Sequence, residues 1–162
     1  MLIMKIKNPK KLLASVLVCL AAGFVGSFFT TPSIPTWYAG LAKPALAPPN
    51  WVFGPVWTTL FILMGISLYL VWGKGLEKKN VRMTVAIFGI QLVLNVLWSA
   101  LFFGLHSPFY AFIEIVALWL AIAATIFAFN KISRNAALLL LPYIIWVSIA
   151  AFLNLSIWLL NV

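Results

Sequence analysis

The sequence predicts an all-α integral membrane protein, built as a bundle of five transmembrane helices with a long loop between the first two. Composition is the first reason, because 65% of the 162 residues are hydrophobic and only 8% are charged. Such a chain is too apolar to fold in water, so its solvent must be lipid. The second reason is that five apolar runs each approach the roughly 20 residues that cross a bilayer as a helix. None of these runs alternates like the strands of an outer-membrane barrel.

The five predicted helices form a single membrane domain over residues 1–162. They cover residues 12–31, 51–73, 83–104, 109–130 and 136–160, and residues 32–50 form the first loop. Helices are favoured because every backbone polar group in hydrocarbon needs a partner within the protein. The first run is longer than the roughly 7–15 residues of a signal-peptide core, so we expect a retained helix. Pro142 interrupts the hydrogen-bond ladder of the fifth helix and is expected to bend it.

Basic residues fall on one side of this topology. The ten that do so are Lys5, Lys7, Lys10, Lys11, Lys74, Lys78, Lys79, Arg82, Lys131 and Arg134. Only Lys43 falls on the other side. The positive-inside rule therefore predicts an N-terminus inside and a C-terminus outside, and the bacterial cytoplasmic membrane is the expected location. Because topology accounts for the formal net charge of +9, we expect no nucleic-acid partner.

The sequence offers no candidate metal centre. Cys19 and His106 are the only cysteine and the only histidine. Neither has the companions that a metal site or an intrachain disulfide requires. We therefore expect one packing residue, one loop residue and no required cofactor.

The first loop is stiff and aromatic. The stretch TWYAGLAKPALAPPNWVFGPVW, residues 36–57, holds three tryptophans and four prolines. Proline restricts the backbone and lowers the entropy cost of ordering it, so we expect a wall or lid over a ligand. The expected wall residues are Trp37, Lys43, Pro44, Pro48, Pro49 and Trp51. Asn50 is expected to cap the second helix.

Few polar side chains lie within the spans. Gln91, Asn95 and Ser99 are spaced by four and share one face of the third helix. Interhelical hydrogen bonding and ligand contact are equally open explanations for them. Glu114 is the one acid within a span. No cation or second acid accompanies it there, so we expect a partly solvated residue bonded to the first loop or to the turn between helices three and four.

Depth indicates where a pocket would lie. Counted along the helices from the outer side, Trp57 lies roughly 10 Å deep, Asn95 about 14 Å and Trp146 about 20 Å. Ala150 adds a small surface one turn from Trp146. If these faces converge, they line an aromatic pocket beneath the first loop that suits a large flat apolar ligand, with Asn95 holding a polar edge.

Four segments resemble the TspO/translocator-protein (TspO/MBR) family, which includes tryptophan-rich sensory proteins and peripheral benzodiazepine receptors. They are TWYAGLAKPALAPPNWVFGPVW, LNVLWSALFFG, SPFYAFIEIVALW and PYIIWVSIAAFLNLSIW, and together they cover the chain after the first helix in family order. The resemblance implies a five-helix bundle, commonly a homodimer. It also implies a pocket near the first loop for porphyrins, such as protoporphyrin IX or heme, and for benzodiazepine-type ligands.

The resemblance also implies which residues bind the ligand, because the family's pocket residues can be matched to positions in these motifs. The implied ligand-binding residues are Tyr38, Trp57, Asn95, Trp98, Ser99, Trp146 and Ala150. Trp57 and Trp146 match the family tryptophans linked to light-dependent breakdown of protoporphyrin, so they are the catalytic candidates if the protein is photochemical.

Two departures from the family pattern bear on ligands. Leu46 stands where many relatives carry an aromatic residue, which removes one stacking surface from the loop. Residues 153–161, LNLSIWLLN, lack the tyrosine and the basic residue of the family's sterol motif. Such motifs are weak signals even when intact, and we do not expect tight sterol binding.

Three functions remain open on the sequence. The first is a membrane protein that binds porphyrin or a similar hydrophobic molecule and senses, buffers or regulates it. The second is an enzyme that degrades protoporphyrin IX in the light, and the third is a transporter of porphyrin or other amphipaths. For the expected homodimer, small residues offer two patches: Ala86 with Gly89 on the third helix, and Gly23 with Ser27 on the first.

Overall fold

The prediction of an all-α bundle with five membrane-spanning helices is confirmed. A computed structural model of the chain describes residues 8–162, which contain no strand and five helical segments long and apolar enough to cross a membrane. The helices are α1 Pro9–Ser33, α2 Asn50–Trp72, α3 Lys79–Ser99, α4 Pro108–Asn130, and a fifth span divided into α5 Arg134–Leu139 and α6 Leu141–Leu160. A π-helical turn, Ala100–Gly104, extends α3. A short 3₁₀ turn, Tyr38–Gly40, lies in the first loop.

The helices begin earlier than the apolar runs predicted. Lys10 and Lys11 lie in α1, and α3 starts at Lys79. These basic first turns are outside the hydrocarbon, where hydropathy cannot detect them. At α1 the Asn8 side chain accepts a hydrogen bond from the Lys11 backbone N–H at 3.1 Å. The prediction that Asn50 caps α2 is wrong, because Pro49 holds the cap position and no side chain bonds there.

The fifth span is interrupted, as the proline predicted. Leu140 separates α5 from α6, and Pro142 lies in the first turn of α6. Proline has no N–H to donate to the preceding turn, so the helix can change direction here. Both parts of the divided span pack against α4, and α5 also packs against α2.

Glycine and serine bring the helices together in the half of the bundle that holds the start of α1. We name it the inner half after the predicted orientation, and the opposite half, which carries the first loop, the outer half. At Gly65 the backbones of α1 and α2 meet, because a Cβ built there would lie 2.5 Å from the Cα of Val16. The Ser67 hydroxyl donates a 2.7 Å hydrogen bond to the Ala136 carbonyl and ties α2 to α5. Around these contacts lies a continuous apolar core that includes Met64, Phe88 and Phe129.

The basic residues of the described chain, other than Lys43, gather at one end of the bundle. The start of α1 lies beside the end of α2, since the Asn8 N–H meets the Tyr69 hydroxyl at 3.4 Å and the Lys11 Nζ lies 5.5 Å from the Trp72 ring. The loops after α2 and α4 lie at the same end. Lys5 and Lys7 lie outside the described residues. Which end faces the cytoplasm stays a prediction.

We expect Gly65→Ala to destabilise the bundle. The new methyl group would collide with the Val16 backbone, which cannot rotate away, so α1 and α2 must separate. Overpacking of this kind costs about 1–3 kcal/mol. Thermal unfolding in detergent measures the loss, and Gly89→Ala is the matched control because a Cβ there meets nothing within 4 Å. Equal melting temperatures for the two variants would contradict the close approach.

Candidate functional site

A cavity of about 560 Å³ lies in the outer half of the bundle. Residues of α1, α2, α3 and α6 enclose it, and Tyr38 of the first loop joins them. Its size falls within the roughly 300–1,000 Å³ of small-molecule sites. Most of its lining is apolar or aromatic, with a few hydroxyl and amide side chains.

The structure brings the seven sequence-predicted ligand-binding residues together around this cavity. They are Tyr38, Trp57, Asn95, Trp98, Ser99, Trp146 and Ala150. Of the six expected wall residues, Trp51 lines the cavity. Trp37, Lys43, Pro44, Pro48 and Pro49 are not among the lining residues. Their part in ligand binding, like that of the seven, stays a prediction.

Neighbouring rings hold the aromatic walls in place. Trp57 stacks on Phe61, with 5.7 Å between ring centroids, and meets Tyr143 edge-on at 6.3 Å. Trp146 meets Phe53 edge-on at 6.0 Å. Such pairs fix ring orientation as well as burying area. The indoles therefore present ordered flat faces before any ligand arrives.

The two deep tryptophans differ in how their indole N–H groups are used. The Trp98 Nε1 donates to the Asn154 Oδ1 at 3.0 Å, and the Asn154 amide donates in turn to the Pro108 carbonyl at 2.7 Å. The Trp146 Nε1 is buried and has no partner among the described residues. Burying a donor without a partner costs free energy. Trp146 therefore lines the cavity with other atoms of its side chain, and its N–H is buried away from the cavity space.

A series of side-chain hydrogen bonds below the cavity shows which partners the amide side chains of α3 have. The Asn95 amide donates to the Tyr143 hydroxyl at 2.9 Å, and that hydroxyl donates to the Gln91 Oε1 at 2.9 Å. Gln91 thus bonds between helices and does not line the cavity. Asn95 does line it, and its Oδ1 is left as an acceptor facing inward. Interhelical hydrogen bonding therefore applies to both Gln91 and Asn95, and ligand contact by Asn95 stays a prediction.

Most of the first-loop residues that were expected to line the cavity lie one layer of side chains further from it. Trp37 stacks on His106, with centroids 4.5 Å apart. The Lys43 Nζ lies 4.7 Å from the centre of the Tyr38 ring and donates to the Leu41 carbonyl at 3.0 Å. Burial raises the pKa of Tyr38, so its phenol stays neutral at physiological pH. The loop residues therefore position Tyr38, and Tyr38 meets the cavity.

Sequence reasoning missed the residue that fastens the loop. The Asn161 side chain accepts from the Ala42 N–H at 3.0 Å and donates to the Ala42 carbonyl at 2.9 Å. This pair of bonds joins the end of α6 to the middle of the first loop. No sequence signal pairs residues 119 positions apart. Phe61 was also missed, although its spacing of four from Trp57 along α2 predicts the same face.

The expectation for Glu114 is wrong. Its side chain is 7% exposed, and neither carboxyl oxygen has a hydrogen-bond partner among the described residues. It shares the buried face of α4 with Ala111, Ile115 and Leu118. That face packs inside the bundle, so neither water nor the loop reaches it. Glu114 does not line the cavity.

Metal-ligating side chains do not cluster within residues 8–162. No three of their His, Cys, Asp and Glu side chains lie close enough together to hold an ion. Cys19 is fully buried against the apolar core. The chemistry of this site within the described chain is therefore that of aromatic rings, amides and hydroxyls.

Comparison with known proteins gives a consistent result. The model of the TspO/MBR family matches residues 15–159. The chain is 51% identical to the tryptophan-rich protein TspO of Archaeoglobus fulgidus, over 95% of this chain and 99% of that protein. It is 49% identical to the TspO of Chlorobaculum tepidum, over 89% of this chain and 91% of that one. It is also 41% identical to the human translocator protein, over 83% and 80% of the two chains.

We expect Tyr143→Phe to lower stability. The substitution removes the hydroxyl that joins Asn95 to Gln91, which leaves a buried donor and a buried acceptor unpaired. Each such loss costs about 1–3 kcal/mol. Chemical unfolding of the two proteins in the same detergent measures the difference. Tyr110→Phe is the control, since that ring is 61% exposed. A Tyr143→Phe protein as stable as the control would show that the chain of bonds contributes nothing.

Proposed function

Since the chain belongs to the TspO/MBR family, we propose that it is a membrane-embedded binding protein for porphyrins and similar flat hydrophobic molecules. Protoporphyrin IX and heme are the leading ligands, and benzodiazepine-type drugs fit the same description. In this role the protein senses, buffers or regulates tetrapyrrole in the bilayer. No cofactor is needed for that role.

The observation that carries the proposal is the set of four tryptophans around one cavity, Trp51, Trp57, Trp98 and Trp146. A flat conjugated ring gains broad stacking area against indole faces. The Asn95 Oδ1, which the bond from its amide nitrogen to Tyr143 leaves unused, supplies an acceptor for polar atoms of the ring. Lys43 is the one basic residue at this end of the described chain. It supplies a positive charge near the roof for the carboxylates that natural porphyrins carry.

A second candidate is light-dependent degradation of protoporphyrin IX. Trp57 and Trp146 both line the cavity, so a bound porphyrin would lie against two oxidisable indoles. Illumination of the porphyrin in the presence of dioxygen generates reactive oxygen at that position. Such a reaction needs no general acid or general base, which suits a cavity whose lining residues include no charged pair.

We expect Trp146→Phe to weaken porphyrin binding about tenfold. The smaller ring loses stacking area, and a tenfold change corresponds to about 1.4 kcal/mol. A dark titration with protoporphyrin IX, followed by quenching of tryptophan emission, gives Kd. Trp119→Phe is the matched control, because Trp119 lies outside the cavity lining and bonds to Ser148 at 2.9 Å. Equal Kd for wild type and Trp146→Phe would remove Trp146 from the site.

Illumination of the same samples separates the two candidates. Loss of the porphyrin absorption bands in wild type, slowed at least severalfold in Trp57→Phe and Trp146→Phe, is the expected sign of the photochemical enzyme. A saturably bound porphyrin with a stable spectrum supports binding without degradation. Absence of saturable quenching in the dark would contradict both candidates.

The resemblance also implies a homodimer, and we place its interface on α3. The other small patch is used within the bundle, since a Cβ at Gly23 would lie 2.5 Å from the Phe61 ring. Gly89 has open space around it, and Val93, one turn further on, is 69% exposed. Small residues on an exposed face permit close helix packing in lipid.

We expect Gly89→Trp to convert a dimer to a monomer. The indole would hold two α3 helices apart without disturbing the bundle, because no neighbouring atom occupies its space. Light scattering of the detergent-solubilised protein measures the mass. Val116→Trp, at an exposed position of α4, controls for an added surface indole. A Gly89→Trp protein that remains dimeric would exclude this face.

A further inference from the structure

The exposed residues of the cavity lining all belong to α1 and α2. Phe24 is 65% exposed and Trp51 75% exposed. Thr31, Gly54 and Thr58 are exposed lining residues as well, together with Asn50. In contrast, the lining residues of α3 and α6 are buried or half-buried. The cavity therefore opens between the outer halves of α1 and α2, and we call this gap the α1–α2 opening.

The depth of the α1–α2 opening places it inside the membrane. Phe24 lies about 14 Å along α1 from its outer end, and Thr58 about 12 Å along α2 from its outer start. With 25 and 23 residues, these helices exceed the roughly 30 Å hydrocarbon core by only a few ångströms at each end. The lower rim of the opening therefore contacts acyl chains and not water.

The roof of the cavity, beneath the first loop, is closed. Tyr38 is 4% exposed there. The loop around Tyr38 is fastened by the two Asn161–Ala42 bonds and by the 2.8 Å bond from the Ser33 hydroxyl to the Phe103 carbonyl. A ligand entering through the roof would have to break these contacts. A ligand entering between α1 and α2, where the upper rim at Thr31 and Asn50 lies near the membrane surface and the lower rim lies deeper, would not.

The rim carries side chains that suit passage of a flat molecule. Gly54 has no side chain, and a Cβ there would meet nothing within 4 Å. The hydroxyls of Ser27 and Thr58 donate within their own helices, to the carbonyls of Phe24 at 2.6 Å and of Gly54 at 2.9 Å. Both side chains are small, and because their hydroxyls are bonded within the helix they leave no unpaired polar group facing lipid. Phe24, held edge-on against Phe28 at 4.9 Å, is the large ring at the rim.

We propose that ligands move between the bilayer and the cavity sideways, through the α1–α2 opening. The ligand class is flat hydrophobic molecules already dissolved in the membrane. This inference rests on the proposed binding function. Occupancy then follows the mole fraction of ligand in the lipid, and the loop does not need to open.

Two rim variants change the width of the opening in opposite directions. Gly54→Phe narrows it in a space that the fold leaves free, and Phe24→Ala widens it. In vesicles loaded with protoporphyrin IX, stopped-flow tryptophan quenching gives the association and dissociation rate constants. We expect both rate constants to fall about tenfold in Gly54→Phe and to rise severalfold in Phe24→Ala. The width of an entrance changes the free-energy barrier to passage of the ligand, but not the free energies of the bound and unbound states. Phe152→Ala, at a lipid-facing position of α6 that is 51% exposed, should leave both constants unchanged.

A change confined to the dissociation constant would overturn the proposal, since it would make Gly54 and Phe24 contacts of the bound ligand. Unchanged rate constants in both rim variants would overturn it as well, because the ligand would then use another route.

A second probe does not depend on porphyrin binding. In a Cys19→Ala background, Ser99→Cys places one thiol in the cavity lining. Pyrene maleimide dissolved in the bilayer should label it faster than a charged thiosulfonate supplied in water, and Gly54→Phe should slow the maleimide. Equal labelling from water with no effect of Gly54→Phe would overturn the α1–α2 opening as the route. Labelling as expected in a protein that binds no porphyrin would keep the route and exclude the proposed function.

Discussion

The site depends on one constraint, the close packing of the inner half of the bundle. Gly65 lets the backbones of α1 and α2 touch, and Ser67 ties α2 to α5. The fifth span packs on α4 on both sides of the break at Leu140, and its first part, α5, also packs on α2. Beyond this packed half, α1, α2, α3 and α6 leave room for the cavity between them. A cavity in a membrane bundle needs such an anchor, since lipid supplies little hydrophobic force to hold helices together.

Tyr143 connects this anchored core to the cavity. Its ring packs in the apolar core and meets Trp57 edge-on, and its hydroxyl joins Gln91 to Asn95. In hydrocarbon a polar side chain must find its partner inside the protein, so the chain of bonds also fixes how Asn95 faces the cavity. The buried Trp146 Nε1 lacks such a partner among the described residues. Glu114 lacks one too, but away from the cavity lining, so it plays no part in ligand contact.

Hydropathy and helical spacing predicted much of this arrangement. The five membrane-spanning helices could be predicted because a chain that crosses lipid has few alternatives to an apolar helix. Depth and spacing predicted that Trp57, Asn95 and Trp146 lie roughly 10–20 Å from the outer side, and the structure shows all three around one cavity. Long-range contacts were beyond such reasoning. The prolines of the first loop indicate stiffness but not that Asn161 holds the loop, and the depth of Glu114 does not reveal which neighbours its face meets.

A cavity that is roofed by Tyr38 and open between α1 and α2 also accounts for the character of the first loop. A lid that must open for each ligand would gain from flexibility, yet this loop is rich in proline and fastened at Ala42 and Trp37. Its stiffness is an advantage if the ligand enters from the side, because a fixed Tyr38 then keeps the roof closed while the ligand exchanges. Leu46, which is 79% exposed and outside the lining, fits the same arrangement. The aromatic residue that many relatives carry there is not needed to enclose this cavity, since the indoles of α2, α3 and α6 supply its flat surfaces.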